Sequence, residues 1–303
     1  MTMKLKLLPF VFLGLAGPVS AANAPAIIIR EDDAEKVLIE AASSTNIQFI
    51  TREGDLNHQR VSRGSLVGIY FYEPDLFKQA IRLYKNRDYK AAQPKFTECR
   101  EAFAKIDDLQ DNYSTLAGFY EIECTRKLGD LEGMTQLMDN FRPGALVREE
   151  HKNQMEIFTL WDAVRTKSWR RIIADTPDML AQDKWTGTQL AQIYYCRGLA
   201  LEGTGEVTMA LNSFNGTITA DYTASEELTR KATANCLTIL KGHDEVQLAM
   251  RLYGTEDEDK NSTGYLLLQE AVAMCELWDK ALGGGKALPD EFKTFLKFKG
   301  KSG

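Results

Sequence analysis

From position 75 onward, apolar residues recur three and four positions apart, in stretches cut by Gly, Asp, Ser and Pro. That period of about 3.6 predicts helices. They fall at 75–86, 89–106, 113–128, 131–141, 148–166, 169–176, 186–203, 207–219, 225–241, 244–253 and 262–282. Pro289 opens a last short helix to about 298. Ahead of position 75 the period is two. Residues 26–30, 37–41, 47–51 and 67–71 alternate or cluster β-branched residues between turns such as Glu31-Asp32-Asp33 and Arg52-Glu53-Gly54-Asp55. Such runs predict strands. Four or five of them within 26–72 predict a small twisted sheet or an SH3-like barrel. A unit of that size buries little core by itself, so it is expected to dock on the first helices.

The helical part repeats itself. A short turn phrase reads Asn86-Arg87-Asp88-Tyr89, then Leu128-Gly129-Asp130-Leu131, Thr166-Lys167-Ser168-Trp169 and Thr204-Gly205-Glu206-Val207, with a fainter copy at His243-Asp244-Glu245-Val246. The fourth residues of the phrase, Tyr89, Leu131, Trp169, Val207 and Val246, are 42, 38, 38 and 39 positions apart. A period of this size marks a stacked array of helix pairs, an α-solenoid.

The residues around the phrase resemble the tetratricopeptide repeat (TPR) superfamily, a repeat of two antiparallel helices of about 34 residues. In the copy at 194–217, Gly198 takes the small helix-A position, Leu201 the apolar one after it, Gly205 the turn, Ala210 the small helix-B position and Phe214 the aromatic. Ala80, Tyr84, Tyr89, Ala92 and Phe96 give a second good copy. The departures are the longer period, Met134 and Ile172 in place of small helix-B residues, and Pro94 inside a helix B, where a bend is expected. The resemblance implies a mostly α fold: a TPR-like array over 75–282 behind a β module at 26–72, closed by a capping helix at 289–299. It also implies a concave groove lined by helix A. Aligned position by position, the lining residues are Phe77, Ile81, Tyr84 and Lys85, then Phe119, Glu123, Arg126 and Lys127, then Ile157, Trp161 and Arg165, then Tyr195, Leu199 and Glu202. That surface suits an extended or helical peptide held by aromatic anchors. The same aromatics could equally be core. The Lys/Asn set that clamps a peptide carboxylate in chaperone-binding members is not matched. A strand-rich segment ahead of such an array is similar to secreted bacterial proteins.

Composition narrows the classes further. Lys4 and Lys6, an apolar run at 7–16 and small residues at 18–24 predict a secretory leader over 1–22, with a destination in the periplasm or outside the cell. No other stretch is long and apolar enough for a transmembrane helix. The net charge of −6 becomes −8 without Lys4 and Lys6, and no dense basic run exists, which argues against nucleic-acid partners. Five cysteines fall in predicted helices with no C-x-x-C spacing. They read as packing thiols or as one or two disulfides, with Cys99–Cys124 the first pair to suspect. No H-E-x-x-H, G-x-S-x-G or Walker A motif occurs, so no catalytic residues, metal or cofactor are expected. Residues 255–259 are acidic but lack the spacing of a calcium loop. Three N-x-[ST] acceptors, at Asn112, Asn215 and Asn261, would carry glycans only in a eukaryotic secretory pathway. In the tail, Phe292, Phe295, Leu296 and Phe298 interleave with Lys293, Lys297, Lys299 and Lys301. That pattern suits the array's cap or weak contact with a membrane surface or partner. The expectation is a non-catalytic scaffold for protein or peptide partners. A glycan- or small-ligand-binding repeat protein is the alternative.

Overall fold

The computed structural model describes residues 21–220 and 226–299. The expected leader therefore lies, through residue 20, outside the described residues. So do position 225 and Lys301. The chain forms two compact units, Met1–Val147 and Arg148–Gly303, with the boundary between the second and third helix pairs.

The first unit opens with five strands: β1 (Ala24–Ile29), β2 (Ala34–Ala42), β3 (Asn46–Ile50), β4 (Gln59–Ser62) and β5 (Gly68–Phe71). They form an antiparallel sheet in the order β4-β3-β2-β1-β5. It is an open sheet, since β4 and β5 are its two edges, and so the barrel alternative gives way. The period-2 pattern sorts the faces: Ala26, Ile28, Val37, Ile39, Ile47, Phe49 and Phe71 are buried, while Tyr70 and Tyr72 are exposed. Strand β4 went unread because its Gln-Arg-Val-Ser sequence lies at the sheet edge with only half-buried or exposed positions, and so carries no apolar alternation.

Behind the sheet come α1 (Asp75–Lys85), α2 (Tyr89–Ala102), α3 (Tyr113–Lys127) and α4 (Leu131–Asn140). Phe77, Ala92, Phe96, Ala117 and Cys124 share one core with the inner face of the sheet. The small sheet is thus one wall of a larger core. Asn112 caps α3 by accepting from the Thr115 N–H at 2.8 Å. Pro94 is accommodated inside α2 on its exposed side.

The second unit holds α5 (Glu149–Arg165), α6 (Trp169–Leu180), α7 (Gly187–Thr204), α8 (Val207–Ala220), α9 (Glu226–Gly242), α10 (Asp244–Leu252) and α11 (Thr263–Leu277). Neighbours in sequence pack together, and α5 also touches α7, α7 touches α9, and α9 touches α11. This two-layer connectivity is that of a helical repeat. The pair α7 and α8 is antiparallel: Gly198 faces Phe214 and Tyr194 faces Gly216. A π-helical turn (Trp278–Leu282) ends α11, and a 3-10 helix (Asp290–Phe298) folds back on it. There Phe292 and Phe295 are buried, Gln269 donates to the Phe298 carbonyl at 3.1 Å, and Lys299 pairs with Glu276. The basic tail thereby covers the last apolar face.

The repeated turn phrase has a single backbone cause. Its second residue is left-handed in four copies: Arg87 (φ 64°), Gly129 (83°), Lys167 (52°) and Gly205 (84°). In each copy the following N–H reaches five residues back, as from Asp88 to Leu83, Asp130 to Thr125, Ser168 to Ala163 and Glu206 to Leu201. That is the Schellman ending, which satisfies orphan carbonyls and reverses the chain. The fainter copy at 243–246 lacks it, because Asp244 is the first residue of α10 without positive φ.

Candidate functional site

The residues expected to line a groove fall into two groups, one per unit. In the first, α1 and α3 bring Tyr84, Glu123, Arg126 and Lys127 together. Arg126 grips the buried Glu123 with two hydrogen bonds, at 2.8 and 2.6 Å, and the Lys127 ammonium stands 3.5 Å from the same carboxylate. Burial alone would raise the Glu123 carboxyl. The Arg126 and Lys127 charges outweigh it and hold the group below its ordinary value. Lys127 also lies over the Tyr84 and Tyr89 rings, 5.8 and 5.2 Å from their centroids. Tyr84 donates to Glu123 at 3.5 Å, and burial pushes its hydroxyl pKa up. Phe119 is buried and Lys85 is exposed on the surface. Arg126 and Lys127 are therefore engaged by an internal carboxylate, which leaves them poorly placed to read an acidic ligand.

In the second unit, α5, α7 and α9 present a graded face. Trp161 and Tyr195 are each 7% exposed, with ring centroids 5.9 Å apart, and Tyr195 lies 5.8 Å from Phe214. The Trp161 indole donates to Gln192 Oε1 at 2.9 Å. Gln192 and Gln154 exchange reciprocal amide hydrogen bonds, both 3.0 Å. Asn235 on α9 is within hydrogen-bonding reach of the Tyr195 hydroxyl, whose pKa is pushed up by burial. Leu199 and Glu202 follow on α7, both half-buried. No hydrogen bond or ion pair reaches the Glu202 carboxylate among the described residues, and burial raises its pKa. Ile157 is fully buried, and Arg165 is held by Asp162 at 2.9 Å.

Sequence reasoning missed Gln154, Gln192 and Asn235. A signal existed for two of them, since Gln154 and Gln192 are 38 residues apart, the step of the turn phrase. They are one repeat position seen twice.

Two recesses lie elsewhere. One, of about 470 Å³, sits between α2, α3 and α4, with Arg100 and Glu121 paired at 2.7 Å in its wall. The other, of about 420 Å³, lies between α10 and the start of α11. Neither is lined by tryptophan. Among the described residues, no cluster of three or more His, Cys, Asp or Glu could hold a metal ion. No helix there is long and apolar enough to cross a membrane. The five cysteines are buried thiols, and Cys99 and Cys124 are not bonded.

The chain matches no family model, no curated protein and no solved structure.

Proposed function

We propose that this protein is a non-catalytic TPR-like scaffold, exported to a bacterial periplasm or cell surface, that binds protein or peptide partners on the α5–α7–α9 face. The leader-like sequence at 1–22 motivates the location. The four Schellman turns and the Gly198–Phe214 contact support the kinship with the TPR pattern.

The observation that carries the binding reading is the row Trp161, Tyr195, Leu199 and Glu202. Both aromatics are largely buried, and their polar groups are engaged, by Gln192 for Trp161 and by Asn235 for Tyr195, which holds the rings in a fixed orientation. Preorganised aromatics lose little entropy on binding. Among the described residues no cation pairs with the half-buried Glu202 carboxylate beside them, which favours a partner that brings a Lys, an Arg or a hydrogen-bond donor.

A photo-crosslinking amino acid placed at Leu199, in cells, tests this. A discrete adduct with one envelope protein is expected, and it should weaken in Tyr195→Ala and in Glu202→Lys. A true anchor costs about 2 kcal/mol or more on truncation. Folded Tyr195→Ala and Glu202→Lys variants that crosslink as strongly as the parent would overturn the assignment.

A further inference from the structure

The recess between α10 and α11 is separate from the α5–α7–α9 face, and its chemistry is one-sided. Glu245, Leu248, Ala249 and Leu252 of α10 all line it, at spacings i, i+3, i+4 and i+7, so they form a single stripe. A stripe of that kind is ordinarily covered by the next helix. Here α11 begins against the opposite end of α10, where Gly264 lies on the Glu245 carbonyl so closely that a Cβ would strike the backbone. The first turn of α11 therefore closes one end of the stripe. The connecting loop walls its side with Glu258 and Asp259, and Leu248 is left 47% exposed. Tyr265 completes the apolar lining and stacks on Tyr253, with centroids 6.4 Å apart.

The charges around this apolar floor are all of one sign. Three carboxylates line the recess, those of Glu245, Glu258 and Asp259, and no Lys, Arg or His does. Lys260 is not a lining residue but pairs with one of the three, Glu258, at 3.8 Å. The same loop carries Glu256 and Asp257. An apolar cavity of about 150 Å³ suffices for benzene. The volume of about 420 Å³ here accepts an aromatic side chain together with adjoining backbone.

We infer that this recess binds a short cationic peptide segment, one large apolar side chain entering between Leu248 and Tyr265 and flanking Lys or Arg residues meeting Glu245 and Asp259. The apolar side chain gains by leaving water. The flanking cations are drawn by Glu245 and Asp259, which have no ion-pair partner among the described residues, whereas Glu258 has Lys260. An acidic segment or an anionic lipid surface would be repelled by the same groups.

The test is fluorescence anisotropy of the full chain with a labelled Lys-Lys-Phe-Lys-Lys peptide. Its controls are the same peptide with Glu for Lys and with Ala for Phe. Saturable binding is expected for the first peptide only, weakening as salt rises from about 0.05 to 0.3 M. Glu245→Gln with Asp259→Asn, both at exposed positions, should weaken it about tenfold, as should Ala249→Trp, which fills the floor. Tyr195→Ala should leave it unchanged, so this inference and the α5–α7–α9 reading fail independently. Equal binding of the acidic peptide, insensitivity to the double variant, or binding that needs added calcium would each overturn it.

Discussion

A methyl group on Gly198 would stand 2.6 Å from Cε1 of Phe214, well inside van der Waals contact, so α7 and α8 meet only because position 198 carries no side chain. The Phe214 ring fills that space, is fully buried and continues to Tyr195. One small residue thus sets the spacing of a helix pair and the support beneath Tyr195, an aromatic of the proposed binding face. Gly198→Ala should destabilise the protein by about 1–3 kcal/mol, the range for overpacking a well-filled site. Urea denaturation measures this, and adding Phe214→Leu should recover part of the loss. Full stability of the single variant would mean that the helices can part freely.

The left-handed residues of the repeated turn make a paired prediction. Lys167 pays for a conformation that costs an L-residue about 1–2 kcal/mol, whereas Gly205 adopts it without strain. Lys167→Gly should therefore hold or raise the thermal midpoint, and Gly205→Ala should lower stability by about 1 kcal/mol. Calorimetry on the two variants gives the signs directly.

Arg126 is the principal counter-charge of Glu123, and both are buried. Arg126→Met would leave the buried Glu123 with the Lys127 ammonium, 3.5 Å away, as its remaining counter-charge. The expected loss is about 3–5 kcal/mol, as for a broken buried pair, and chemical denaturation reads it. The pH sign follows from the depressed Glu123 pKa. Its stabilising contribution is present above the ordinary carboxyl value of 4.5 and is lost as pH falls through the lower folded value. In Arg126→Met that acid-side loss should shrink, since only Lys127 remains to hold the Glu123 pKa down.

Glu202 has the opposite sign. Burial raises its folded pKa, so its cost is absent at low pH and grows as pH rises from 4.5 through the folded value. Glu202→Gln should melt above the parent at pH 7 and with it at pH 4. A melting curve at each pH decides the matter.

The thiols provide a check on packing. Burial pushes Cys99, Cys124 and Cys236 up to about 12 and Cys275 up to about 11. Thiolate is the reactive form. All five buried cysteines should therefore resist an aromatic disulfide reagent at pH 8 and react once the chain is unfolded. Rapid native reaction of any one would mean that its helix contact opens.

Local signals carried most of the architecture. Helices α1, α4, α6 and α10 were readable from a one-sided 3.6-residue apolar period, and α2, α3, α4, α7 and α11 carry a capping side chain at their start, both properties of a few neighbouring residues. Strands β1, β2, β3 and β5 were readable because the sheet has one buried face, which enforces a period of two. Strand β4 has no such face, and its place is set by pairing with β3 alone.

The sequence by itself determined where the chain turns, which segments are helix or strand, and where the small residues that permit close helix contact must stand. These follow from backbone sterics and local periodicity. Only the tertiary structure decided that the sheet is an open wall in the order β4-β3-β2-β1-β5 and that the chain forms two units. It also decided that Arg126 and Lys127 serve Glu123, and that Trp161 and Tyr195 are largely buried, with Gln192 and Asn235 as polar partners. An aromatic at helical spacing has the same local signature in a core as in a groove. What packs over it comes from residues 30 to 40 positions away, and burial and charge pairing are set by that packing.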